Sequence, residues 1–82
     1  MDLREIFALN LRRQRHRKRL SQEELADAAD INRTYVSKLE TAATWVGLEI
    51  IDRLSKALEI SPADLLRTPT RHSKRFVRRP GS

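Results

Sequence analysis

The chain has 82 residues, a formal net charge of +6, a sequence pI near 10.8 and no cysteine. This length holds one domain rather than two, and the lack of thiols excludes disulfide frameworks and thiolate metal sites. His16 and His72 lie in basic, polar runs away from any carboxylate cluster, so neither a metal nor a cofactor is expected.

Asp2 reads as a helix cap, and Glu5 three residues later completes a capping box. Ile6, Phe7, Asn10, Leu11, Gln14, Arg15 and Lys18 then recur at helical spacing. The spacing predicts a first helix over about residues 3–18. Arg12, Arg13, His16, Arg17 and Arg19 fall on the opposite face, crowded toward the end where the helix dipole favours cations.

Ser21-Gln22-Glu23-Glu24 is a second capping box, opening a helix over residues 22–29 whose apolar face is Leu25, Ala26 and Ala29. Asp30 stops it, because Asp enters the left-handed conformation at low cost. Ile31 is an apolar plug in the turn. Asn32 caps a third helix, residues 33–41, with Val36 and Leu39 facing inward.

The segment AATWVG, residues 42–47, reads as a link. Gly47 caps a fourth helix over 48–58 with inner residues Leu48, Ile51, Leu54, Ser55 and Leu58. Ser61-Pro62-Ala63-Asp64 supplies a cap, a proline at the first helical position and an acid behind it. A fifth helix over about 62–67 is expected, with Leu65 and Leu66 closing the core and Pro69 ending it. The fold class is therefore all-α: a five-helix domain over residues 1–67. TPTRHSKRFVRRPGS, residues 68–82, has no acid and little periodicity, and is expected to be a flexible basic tail.

The charge is unevenly placed. Arg4, Arg12, Arg13, Arg15, Arg17, Lys18 and Arg19 face only Asp2 and Glu5 in the first twenty residues, the middle of the chain is acidic, and the last segment is wholly basic. Such separation favours a polyanionic partner, with nucleic acid ahead of an anionic membrane surface. No apolar run approaches the ~20 residues that span a bilayer. The opening MDLREIFALN lacks the basic head and apolar stretch of a secretory signal. A cytoplasmic protein without a membrane partner is expected.

Two helices this short, joined only by Asp30, Ile31 and Asn32, cannot lie antiparallel and must cross steeply. That is helix-turn-helix geometry, whose second helix enters the DNA major groove. Ala26 must be small where the helices approach, and Val36 and Leu39 anchor the second helix. Arg33, Thr34, Ser37 and Lys38 are then left facing outward, and Arg33 has the fork that bonds guanine O6 and N7 together.

Three segments, LRRQR (11–15), LSQEELADAADINRTYVSKLE (20–40) and LEIIDRLSKALEISPADLL (48–66), resemble the phage-repressor and Cro-like (XRE) helix-turn-helix domains, the lambda-repressor-like fold. Chain size and cysteine-free composition are similar to the small stand-alone regulators of that family, including restriction–modification controller proteins. The resemblance implies sequence-specific binding of an operator in double-stranded DNA, palindromic because the protein binds as a homodimer, with regulation of transcription. It implies base contacts from Arg33, Thr34, Ser37 and Lys38, phosphate contacts from Ser21, Gln22, Asn32 and Tyr35, and a structural ion pair between Arg15 and Glu40. Trp45, the single tryptophan, reads either as a satellite core residue under the link or as a dimer contact together with Val46, Ile50 and Ile60. Three features depart from the family pattern: Arg19 and Asp30 stand where glycine is usual, and TAATWVG lacks the usual Gly- and Pro-containing loop.

No nucleophile–base pair, ligand cluster or phosphate loop is visible, so no enzymatic activity is expected. The alternative function is a protein-interaction module of the antitoxin type, with DNA-binding autoregulation and a regulatory protein as partner.

Overall fold

The computed structural model describes residues 1–69. Beyond Thr68 and Pro69, the expected basic tail lies outside the described residues. The described chain is built from α1 (Leu3–Arg17), α2 (Gln22–Ala29), α3 (Arg33–Glu40), α4 (Leu48–Leu58) and α5 (Ala63–Leu66), and no strand occurs among the described residues.

The helix starts follow the local chemistry. The Asp2 carboxylate accepts the Glu5 N–H at 3.1 Å while the Glu5 carboxylate accepts the Asp2 N–H at 2.9 Å. Ser21 and Glu24 make the same reciprocal pair at 2.9 and 2.8 Å. Two otherwise unpaired backbone donors are satisfied at each start. At α5 the Ser61 hydroxyl accepts the Ala63 N–H at 3.2 Å and Asp64 accepts the Ser61 N–H at 3.1 Å.

The helix ends share one device. Arg19, Asp30, Ala42 and Glu59, following α1 to α4 in turn, all adopt left-handed backbone with φ between 58° and 60°. The next N–H then returns to a carbonyl in the last helical turn: Leu20 to Arg15 (3.1 Å), Ile31 to Ala26, Ala43 to Lys38 and Ile60 to Ser55 (each 2.9 Å). These Schellman-type closures satisfy carbonyls that the helix itself cannot. None of the four residues is glycine, so each closure carries backbone strain on the order of 1 kcal/mol. Leu20, Ile31 and Ile60, which pack against the core just past three of the turns, offset it.

The core is one cluster. Leu11, Leu25, Val36, Leu54 and Leu65, one from each helix, are fully enclosed. α1 packs on α3 and α5, and α2 packs on α3 and α4. Ala26, 1 % exposed, sits where α2 and α3 approach. The four-residue α5 is too short to stand alone and is tied to α1 by buried Asn10, whose amide donates to the Leu65 carbonyl at 3.0 Å and the Arg67 carbonyl at 2.8 Å.

Several expectations are corrected. Leu48, assigned to the inner face of α4, is 84 % exposed. It shares a stripe with Ile51, but it is the first residue of the helix and projects beyond the edge of the core. Leu66, expected to close the core with Leu65, is 37 % exposed while Leu65 is enclosed, because neighbouring residues on a helix point about 100° apart. Lys18 is exposed and pairs with Glu59 instead of lining the inner face. The ends of α1, α3 and α5 fall a residue short of the expected bounds: Lys18 and Thr41 lead into the left-handed Arg19 and Ala42, and Arg67 is already extended. Buried Ala8 is a core position that the periodicity reading passed over.

Candidate nucleic-acid interface

The α3 helix has two unlike sides. Val36, Leu39 and Glu40 are buried, whereas Arg33, Thr34 and Lys38 are exposed and Ser37 is half-buried. Asn32 starts the helix, its side-chain oxygen accepting the Thr34 N–H at 2.6 Å. Arg33 and Lys38 take part in no ion pair among the described residues. Their charge is free for a ligand. Ser21 and Asn32 are exposed at the starts of α2 and α3, and Gln22 and Tyr35 are half-buried beside them. Tyr35 packs against the core through its ring.

A buried polar hub holds this helix in place. Glu40, 2 % exposed at the end of α3, receives the Arg15 guanidinium on both oxygens, Nε to Oε2 at 2.6 Å and Nη2 to Oε1 at 3.0 Å. The Gln22 amide donates to the same Oε1 at 3.0 Å. Arg15 Nη1 donates to the Leu20 carbonyl at 2.9 Å. A forked, two-bond pair of this kind fixes direction as well as distance. With one carboxylate, α1, α2 and α3 are locked together. Gln22 therefore spends one amide donor on α3 itself.

Arg12 was placed on the outer cationic face, but it belongs to the hub: its Nη1 donates to the Glu40 main-chain carbonyl at 2.5 Å. Arg12 stands one turn before Arg15 on the same side of the helix, but that spacing does not by itself choose between Glu40 and solvent for so long a side chain.

Surface carboxylates are tuned by the cations beside them. The Glu59 carboxyl is lowered by its hydrogen bond to Lys18 and then by the Lys18 charge. Asp64 is lowered chiefly by Arg67, and Asp2 chiefly by Arg4.

At the other end of the molecule, Trp45 is 61 % exposed, so it is not a core residue. The Arg4 guanidinium lies 4.8 Å from its ring centroid in a cation–π arrangement. Trp45 and Val46 line an apolar groove of about 190 Å³ with Leu3, Phe7, Leu48 and Leu66. Ile50 and Ile60 do not line that groove and pack half-buried against the core. Among the described residues no three His, Cys, Asp or Glu side chains are grouped to hold a metal ion. No described helix is long and apolar enough to cross a membrane.

The helix-turn-helix family model matches residues 11–65. Control protein C.BamHI from Bacillus amyloliquefaciens is 41% identical over 66 residues, which span 79% of this chain and 82% of that protein. The crystal structure of the restriction-modification controller protein C.AhdI from Aeromonas hydrophila is similar at a TM-score of 0.74 and 39% identity, covering 76% of this chain and 94% of that one. The hypothetical transcription factor NHTF from Neisseria is similar at a TM-score of 0.81 and 37% identity, covering 92% of this chain and 83% of that one.

Proposed function

The chain belongs to the XRE-type helix-turn-helix family and is a DNA-binding transcriptional regulator, and on that premise we propose that it binds one palindromic operator as a homodimer. In this reading α3 lies in the major groove. Arg33, Thr34, Ser37 and Lys38 meet base edges, while Ser21, Gln22, Asn32 and Tyr35 fix the register on phosphates. The observation that carries the reading is the two-sidedness of α3: uncompensated Arg33 and Lys38 on a helix whose other side ends in the Glu40 hub. A rigid helix loses little freedom on binding, so its contacts discriminate between bases rather than merely attract DNA.

The dimer contact is the Trp45–Val46 end of the molecule, where Leu48 and Leu66 add exposed apolar surface. Ile50 and Ile60 contribute only at its margin. Two recognition helices related by a two-fold axis then meet half-sites about 34–36 Å apart, or a multiple of that. The division into a DNA-binding domain at 1–67 and a basic segment at 68–82 assigns to that segment affinity without sequence information. Two relatives are named as control or restriction-modification controller proteins. Control of restriction–modification genes is the specific form of the reading, and it places the protein in the cytoplasm with the DNA.

Footprinting on DNA upstream of the protein's own gene tests it. Symmetric protection is expected. Arg33→Ala should cost about 1–3 kcal/mol there and relax preference at one base pair per half-site. Full retention of that preference removes Arg33 from the base readers.

A further inference from the structure

A second concentration of positive charge, three arginines against one acid, lies away from α3. Arg12 and Arg15 leave α1 toward Glu40 of α3. Asn10, Arg13 and Arg17 leave it toward α5, close to the opposite side of a helix with 3.6 residues per turn. There they line a polar cleft of about 530 Å³ with Gln14, Arg67 and Thr68. That volume is within the range of small-ligand pockets.

The charge balance of the cleft is one-sided. Its single acid, Asp64, is already engaged by Arg67 at 2.7 Å and by the Ser61 N–H at 3.1 Å. Arg13 and Arg17 form no ion pair among the described residues, although they stand one turn apart and repel each other. The Gln14 amide and the Thr68 hydroxyl make no hydrogen bond among the described residues either. The floor is rigid, because buried Asn10 holds the Leu65 and Arg67 carbonyls. Two guanidinium forks, an amide and a hydroxyl around one hollow match the oxygens of a phosphorylated group.

We propose that the α1–α5 cleft is a second anion site that takes the phosphate oxygens of a multiply charged ligand of about diphosphate size. Those oxygens come either from a free phosphorylated small molecule or from phosphodiesters of DNA outside the segment met by α3.

The test titrates the full chain with inorganic phosphate and with pyrophosphate at fixed ionic strength. The wild type is compared with Arg13→Gln/Arg17→Gln and with the charge-matched Arg33→Gln/Lys38→Gln. Pyrophosphate should bind the wild type more tightly than phosphate does, weaken at least tenfold in the cleft variant, and be unaffected in the control. In a second arm, the salt dependence of DNA binding separates the sources. If DNA supplies the oxygens, the cleft variant flattens the slope of log affinity against log salt by about one to two, at ~0.9 per phosphate contact. With a free ligand that slope stays fixed and pyrophosphate binds alone. Backbone amide shifts in the wild type, expected at Arg67 and Thr68 and not at Arg33, give a reading that does not depend on the variants folding. Equal loss of pyrophosphate in both variants, shifts centred on α3, or no change in either arm overturns the proposal.

Discussion

The hub at the end of α3 and the groove beside Trp45 invert the usual distribution of side chains. At the hub a carboxylate is buried, 2 % exposed, and survives because three donors, two from Arg15 and one from Gln22, replace its water. At the groove a tryptophan and three leucines, Leu3, Leu48 and Leu66, stay in water although nothing polar requires it. A buried charge that is fully paired is finished structure: it fixes geometry within the chain. An apolar patch left open is unfinished structure, and in the proposed dimer a second copy completes it. In the proposed reading, rigidity at α3 and adhesion at the groove are opposite solutions of the same problem, the cost of hiding or exposing the wrong kind of surface.

The largest expected effect breaks the hub. Glu40→Ala leaves the largely covered Arg15 guanidinium without its partner and should cost about 3–5 kcal/mol of folding stability by urea denaturation. That is a large part of the stability of any small domain. A loss below about 1 kcal/mol would mean that water replaces the carboxylate freely and that the hub does not lock α3.

At the groove, the same kind of substitution should act on association instead of folding. Trp45→Ala should weaken self-association by about 2 kcal/mol, close to thirtyfold, in sedimentation, while the urea midpoint of the monomer hardly moves. Unchanged sedimentation with a lowered midpoint would return Trp45 to the fold of the monomer and move the dimer contact elsewhere.

Between the two regions lies the turn at Ala42, where α3 leaves the hub and the chain heads for Trp45. Ala42→Gly relieves a left-handed backbone at φ 59° and should stabilise the domain by about 0.5–1 kcal/mol. Asp30→Gly should gain less, since Asp tolerates that conformation better. A destabilised Ala42→Gly would show that the methyl group packs more than it strains.

The smallest effect contrasts the hub with an exposed pair. The Glu59 carboxyl is lowered from its ordinary value of 4.5 by Lys18. A lowered folded-state value means that the pair adds stability above the ordinary carboxylate range and that this is lost as pH falls through the folded value. Lys18→Gln should therefore be slightly less stable than wild type near neutral pH, with the gap closing under acid. In an NMR titration its Glu59 should move back toward the ordinary value. An unmoved Glu59 titration would remove Lys18 as the cause.

Much of the fold was legible because its signals are local. The Asp2–Glu5 and Ser21–Glu24 boxes and the Asn32 cap announce themselves within four residues, since a cap acts on the donors next to it. Asp30 could be read as a left-handed stop for the same reason. Arg19 and Glu59 take the same conformation without any such propensity. They follow from where Leu20 and Ile60 find the core. Of the site, the outward residues of α3 followed from the positions of Val36 and Leu39, but the part of Arg12 did not, because a long side chain has several directions open to it.

The sequence by itself therefore determined the five helices, the starts of the first four, the close pairing of α2 and α3 and the residues that face out of α3. All of these depend on periodicity and on groups close along the chain. Only the tertiary structure decided that Leu48 and Leu66 stay exposed beside Trp45, that Arg12 joins Glu40, and that Arg13, Arg17 and Arg67 share one cleft. Periodicity tells which side of a helix is apolar, but how far along that side a neighbour reaches is a property of the packed helices together, and no segment carries it alone.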